Sequence, residues 1–167
     1  MATPTAVALG SNLGDRLHHL QSARNSLRKL AVPGTPYLQA SIYQTAPIGC
    51  PEGSPDFFNT LVEFHFDGTP EELLVQTQRL ERMAGREQGL VANAPRPLDL
   101  DILYFGALRL RTDQLEIPHP RMTERRFVLE PLAEIQPNFV LPGQQQSAAE
   151  LLNELTDAPV RLVFATW

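Results

Sequence analysis

Asp99 and Asp101 stand two residues apart in the run Arg96-Pro97-Leu98-Asp99-Leu100-Asp101-Ile102-Leu103-Tyr104-Phe105. Read as a strand, the run alternates: Leu98, Leu100 and Ile102 point one way and both carboxylates the other. Two anions about 7 Å apart on one strand face repel each other, and they lose hydration when the sheet is covered. A divalent cation relieves both costs. Mg²⁺ suits the pair, because it commonly takes one or two carboxylates and completes its shell with water and substrate phosphate. Arg96, just upstream, adds a cation for phosphate. A solvated edge strand would carry the same residues, so the reading depends on the rest of the chain.

A second group lies in the strand pattern of residues 57–66. Phe58, Val62, Phe64 and Phe66 form its core face, which leaves Phe57, Asn59, Leu61, Glu63 and His65 on the other. An aromatic ring beside an amide suits a flat heteroaromatic ligand, which stacks on one and pairs its edge with the other. A second layer packed on that face explains Phe57 equally well. Leu74, Gln78 and Glu81 fall at i, i+4 and i+7 of a helix, a stripe that a solvated face would also show. His119 lies between Pro118 and Pro120, so its backbone is held rigid, and Arg121, Arg125 and Arg126 follow it as a short basic cluster. Gly10-Ser11-Asn12-Leu13-Gly14 lacks the lysine and spacing of a Walker loop, and no nucleophile elbow, H-E-x-x-H or Cys/His metal cluster is present.

The elements that must position these residues alternate. A buried strand over residues 5–9 ends at Gly10-Ser11-Asn12, and a helix over 15–31 follows with Leu20, Ala23, Leu27 and Leu30 on one stripe. Residues 37–43 read as one strand. A loop rich in Pro and Gly over 46–55 leads to the strand at 57–66. Thr69-Pro70-Glu71-Glu72 is a capping box with proline at the first helical position, opening a helix to about Met83. The loop over 85–97 is long enough inside a compact domain to suggest function. After the Asp99/Asp101 strand, Gly106-Ala107 turns the chain into a strand near 108–111, and a short helical turn lies at 123–126. Ser147-Ala148-Ala149-Glu150 is a second capping box, and residues 160–164 close as a strand. The expected fold is α+β with a ferredoxin-like core (βαββαβ), additional strands and helices, and three α/β/α layers in a single domain over residues 1–167.

The 167 residues bury a sizeable core without staples, and 43% hydrophobic with 20% charged content is ordinary for a globular chain. A net charge of −5 argues against a general nucleic-acid binder or a membrane-surface protein. Cys50, the one cysteine, forms no internal disulfide and reads as incidental. With no leader-like segment and no apolar run of membrane-spanning length, the expectation is a cytoplasmic, soluble monomer with no nucleic-acid or membrane partner.

Taken in order, the motifs resemble one family. Ala8-Leu9-Gly10-Ser11-Asn12-Leu13-Gly14-Asp15-Arg16, Tyr43-Gln44-Thr45-Ala46-Pro47-Ile48-Gly49, Asp56-Phe57-Phe58-Asn59, the Arg96–Ile102 run and Ile117-Pro118-His119-Pro120-Arg121-Met122 follow one another. Arg125-Arg126-Phe127-Val128-Leu129 completes the series, which resembles the 6-hydroxymethyl-7,8-dihydropterin pyrophosphokinases of folate biosynthesis from residue 5 to about 140. The resemblance implies transfer of pyrophosphate from ATP to the pterin's hydroxymethyl oxygen with two Mg²⁺ ions. It implies that Asp99 and Asp101 hold the metals, with Arg86 and Arg96 catalytic. It gives the pterin to Thr45, Ala46, Ile48, Phe57, Asn59 and Phe127, and ATP to Leu74, Gln78, Glu81, Ile102, His119, Pro120 and Arg125. Residues 87–95 carry no arginine or aromatic where family members usually do, and Gln114 and Glu116 stand where members often have a basic residue and a small hydroxyl. A metal-dependent phosphohydrolase using the same aspartates, and a non-catalytic pterin- or nucleotide-binding module, are the rival readings.

Overall fold

The computed structural model describes residues 1–47, 49–86 and 94–167. Ile48 and most of the 85–97 loop therefore lie outside the described residues. The elements run β1 (Thr3–Ser11), α1 (Arg16–Leu30), β2 (Tyr37–Gln39), β3 (Ile42–Thr45), β4 (Phe57–Phe66), α2 (Pro70–Met83) and β5 (Asp99–Phe105). The short β6 (Leu110–Arg111) and β7 (Glu116–Ile117), a 3₁₀ turn at Met122–Glu124, α3 (Arg126–Ile135), α4 (Ala148–Glu154) and β8 (Arg161–Phe164) follow. The main sheet is antiparallel in the order β5-β1-β4-β3-β8, with β2 also paired to β4; β6 and β7 form a separate hairpin.

Local chemistry explains the helix starts. Asp15 caps α1 by accepting from the His18 N–H, and both capping boxes form, Thr69 with Glu72 on α2 and Ser147 with Glu150 on α4. Hydrophobic clusters cover both sides of the sheet. One joins Val7, Leu9, Val62, Phe64, Leu100 and Ile102 to Leu20 and Leu27 of α1 and Leu73 of α2. The other joins Ala6, Leu61, Leu103 and Tyr104 to Val128, Leu129 and Leu132 of α3 and to Ala148 and Leu151 of α4. The alternation along β5 holds to Ile102. There a bulge intervenes: Val7 pairs with Ile102 but Ala6 with Tyr104, so Leu103 is the extra residue.

Two expectations need correcting. The strand anticipated over 37–43 is two strands, because Gln39 pairs with Val62 and Tyr43 with Asn59, which leaves one extra residue between them. The peptide freed at this bulge is satisfied by side chains. The Ala40 carbonyl accepts from Thr60 Oγ1 (3.1 Å) and Trp167 Nε1 (2.8 Å), and the Ser41 N–H donates to both carboxylate oxygens of Glu134 (3.0 Å each). The helical turn expected at 123–126 is the prelude to a full helix, α3, which keeps Pro131 in its interior. Proline there removes a ladder donor, and burial of Val128, Leu129 and Leu132 offsets that loss. Among the described residues, no helix is long and apolar enough to cross a membrane.

Candidate active site

Register assembles the site. Gly10 of β1 pairs with Asp99 on one side and Asn59 on the other, and Asn59 pairs with Tyr43. Direct cross-strand partners share a face, so Asp99, Gly10, Asn59 and Tyr43 form one row on the side of the sheet that faces α3. The next row places Asp101, Ala8 and Leu61 together. Between the carboxylates and Asn59, β1 thus offers only Gly10 and Ala8, and the face dips into a trough. A Cβ on Gly10 would stand 2.9 Å from Asn59 Oδ1 and 3.7 Å from Phe57 Cδ1. By sequence Gly10 ends a strand and stands in the first of the family motifs, with no site role of its own. The available signal was a glycine inside a strand, which marks close approach by a ligand or another chain segment.

At one end of the trough, Asn59 is buried and its Nδ2 donates to Thr45 Oγ1 at 2.7 Å, so the amide oxygen over Gly10 remains an acceptor. Phe57 is half-buried, and Ala46, just after Thr45, is exposed. Phe127, in the first turn of α3, is half-buried against the second cluster, with the Arg125 guanidinium 5.5 Å from its ring centroid.

At the other end, burial and the Asp99 charge push Asp101 up to about 7; Glu81 adds to this, while Arg125 and Arg86 oppose it. Arg86, just past α2, donates from one nitrogen to Glu81 (2.5 Å) and Asp99 (2.9 Å), and Arg96 lies 3.7 Å from Asp99. Arg96 Nε is buried and has no hydrogen-bond partner among the described residues. Glu81 also accepts the Leu100 N–H at 2.9 Å, bracing the outer edge of β5. Burial raises the Glu81 carboxyl, with Leu100 and Arg86 pulling it back. Arg125 lies below the usual arginine range through burial and the neighbouring Arg121 charge.

His119 is anchored by its own N–H to the Leu103 carbonyl (2.8 Å), and its Nδ1 accepts from the Arg121 N–H (3.3 Å). Burial and the charges of Arg125 and Arg121 lower it, against Asp99 and Glu116. Pro120 is exposed beside it. The remaining residues assigned to ATP stand apart from this group. Leu74 packs into the α1/α2 cluster, Gln78 is exposed on α2, and the Ile102 side chain is buried in that same cluster, on the face opposite the carboxylates. A ligand at Ile102 would meet its backbone.

Asp99 and Asp101 are the side chains here that could hold a metal. Among the described residues no group of three or more His, Cys, Asp or Glu side chains converges as a metal cage. A repelled, half-buried pair without further ligands fits a cation that takes the rest of its shell from water and phosphate.

A carboxylate pair ringed by arginines, beside a flat trough edged by an amide and an aromatic ring, is the equipment of an enzyme that handles phosphate next to a planar polar substrate. Residues 6–137 match the family model of 7,8-dihydro-6-hydroxymethylpterin-pyrophosphokinase, and the chain belongs to that family. The 2-amino-4-hydroxy-6-hydroxymethyldihydropteridine pyrophosphokinase of Bacillus subtilis (strain 168) is 46% identical over 129 residues, covering 77% of this chain and 75% of that protein. The mitochondrial folate synthesis bifunctional protein of Pisum sativum is 42% identical over 129 residues; the chain spans only 24% of its length. In fold, the chain resembles the crystal structure of wild-type Plasmodium falciparum HPPK-DHPS with pteroate. That likeness has a TM-score of 0.69 at 15% identity and covers 92% of this chain and 42% of the other.

Proposed function

We propose that this pyrophosphokinase acts on 6-hydroxymethyl-7,8-dihydropterin and ATP at the sheet face described above. The observation that carries the reading is the single row joining Asp99, Gly10 and Asn59, which puts the carboxylates and the glycine-floored trough side by side. The hydroxymethyl oxygen attacks the β-phosphorus, the bond bridging the α- and β-phosphates breaks, AMP leaves and the hydroxyl proton is lost. Asp99 and Asp101 would hold Mg²⁺, two ions by the family resemblance. When bound, the cation supplies charge neutralisation and polarisation of the phosphates.

The protein's own residues bind and orient. Asn59 accepts from a ring N–H through the oxygen left free by Thr45, while Phe57 and Phe127 flank the ring and Ala46 closes its edge; Ile48, which the resemblance also gives to the pterin, lies outside the described residues. Arg86, Arg96 and Arg125 pair with phosphate oxygens, and the unpartnered Arg96 Nε supports that role. His119, with Nδ1 already accepting a hydrogen bond, presents Nε2–H as a neutral donor to phosphate. Pro120, Glu81 and the Ile102 backbone complete the nucleotide side, and Leu74 and Gln78, which stand apart on α2, would be reached only past the edge strand β5. No side chain is assigned as general base.

The antiparallel order β5-β1-β4-β3, with α1 and α2 as connections, supports a ferredoxin-like core. Clusters on both sheet faces support three α/β/α layers in one domain over residues 1–167. The reading places the chain in the cytoplasm as a monomer, consistent with its acidic charge. Incubation with ATP, Mg²⁺ and the pterin, followed by mass spectrometry, tests the proposal: pterin diphosphate and AMP should appear in equal amounts. Release of inorganic phosphate without the pterin product would overturn it.

A further inference from the structure

Asn12 follows directly on the strand that provides Gly10, and it is fully buried with every polar atom of its amide used. Its Oδ1 accepts the Arg96 N–H at 2.8 Å, and its own N–H donates to the Arg96 carbonyl at 3.1 Å. Its Nδ2 donates to the Pro55 carbonyl at 3.3 Å. One side chain therefore joins two segments that have no sequence relation to each other. The Arg96 segment runs into Asp99, the Pro55 segment into Phe57 and Asn59. Asp56, next to Pro55, is fixed in turn: its carbonyl accepts from Arg16 Nη1 and its carboxylate from Gln44 Nε2, both at 2.8 Å, and Gln44 precedes Thr45.

We propose that Asn12 is a positioning residue that couples the two substrate half-sites, so that ordering the Pro55 segment around the pterin pre-orders the Arg96 segment for phosphate, and the reverse. This rests on the site reading above. Because a coupling free energy is shared by both ligands, each must change the other's affinity by the same factor. An amide fits this task because it accepts on one side and donates on the other. Asn12→Asp would keep the bond to the Arg96 N–H and set a carboxylate oxygen against the Pro55 carbonyl, while Asn12→Ala removes both side-chain bonds and keeps only the backbone bond to the Arg96 carbonyl.

The test is calorimetric titration of the full chain with the pterin, alone and in the presence of Mg²⁺ and a non-hydrolysable ATP analogue. In the unmodified protein the analogue should tighten pterin binding by roughly tenfold or more, and in Asn12→Ala this factor should fall to about twofold or less. A structural role alone would weaken each ligand and leave the factor unchanged, which would overturn the proposal. So would two ligands that bind the unmodified protein independently. If neither ligand binds the unmodified protein, the site reading itself fails, and this inference with it. Hydrogen exchange on the unmodified protein provides a check that needs no variant: pterin alone should slow exchange of the Arg96 amide, and an unchanged rate would count against the coupling.

Discussion

On the α1/α2 side of the sheet, Val7, Leu9, Val62, Phe64, Leu100 and Ile102 are all apolar and all buried; on the α3 side the same strands present Gly10, Asn59, Glu63, Asp99 and Asp101. The second face is not simply wetter. Glu63 is buried, and it accepts from the Tyr104 hydroxyl and from Gln136 Nε2. Glu134 accepts from Ser41 Oγ (2.9 Å) and the Tyr43 hydroxyl (2.6 Å), and Asn59 is matched to Thr45. Against these satisfied groups Asp101 stands out, because burial and Asp99 disfavour its charged form. The contrast separates two uses of burial. One face stabilises by area, whereas the other tolerates a repelled carboxylate pair, the feature on which the proposed cation and phosphate site rests.

Substitutions that pull stability and activity apart break this comparison most directly. Asp101→Asn removes like-charge repulsion at nearly constant shape, so the thermal midpoint without Mg²⁺ should rise at pH 8, while kcat for AMP formation should fall by about a thousandfold or more. Asp99→Asn should lose activity on the same scale, and it also breaks the Arg86–Asp99 ion pair while leaving Arg86 paired with Glu81. Near-normal turnover in either variant would remove the carboxylates from the mechanism. On the other face Leu27→Ala should do the opposite: unfolding free energy falls by about 2–5 kcal/mol, yet kcat per folded molecule holds. A matching loss of kcat would mean the two faces are not separable.

What the sequence reveals of this contrast depends on distance along the chain. The caps at Thr69 and Ser147 and the alternation Leu98–Ile102 use neighbours a few residues away, and they are legible because local geometry decides them. The bulge at Ala40–Ser41 is not, since its peptide is satisfied by Glu134 and Trp167, 93 and 127 residues further on. Helix α3 was masked by Pro131, whose penalty is offset by tertiary burial. The chemistry-bearing types Asp99, Asp101, Asn59 and His119 were visible as residues. The placing of Asp99 and Asn59 in one row, with Asp101 in the next, was not, because it requires the pairing of β1 with both β4 and β5, which also turns Gly10 into the floor of the trough.

Smaller effects sharpen the division within the polar face. Asn59→Ala should weaken pterin binding by about 1–3 kcal/mol through the lost hydrogen-bond partner and leave ATP affinity nearly unchanged. Gly10→Ala should act in the same direction, since the added methyl carbon meets Asn59 Oδ1 at 2.9 Å. Phe127→Ala should remove about 0.5–1.5 kcal/mol of stacking beyond the area lost. Calorimetry with each ligand separately decides these three, and equal losses for ATP and pterin would place the trough and the carboxylates in one undivided pocket.

The smallest expected effect is a slope. In the folded chain burial, Arg125 and Arg121 hold His119 below its ordinary value, while the unfolded chain binds that proton near pH 6.5. Between the folded pKa and about 6.5 the unfolded state therefore carries more protons, and stability rises with pH across that window. Below it both states are protonated and the contribution levels off at its least favourable; above about pH 6.5 both are neutral and the penalty is gone. His119→Gln has nothing to protonate, so its stability should fall less than the parent's between pH 7.5 and 5. Urea unfolding at a series of pH values measures this as a difference between two curves, in which other titrating groups common to both proteins cancel. Parallel curves would show that neither burial nor the arginines oppose a charge at His119, and the neutral Nε2–H donor assigned to it would then have no electrostatic basis.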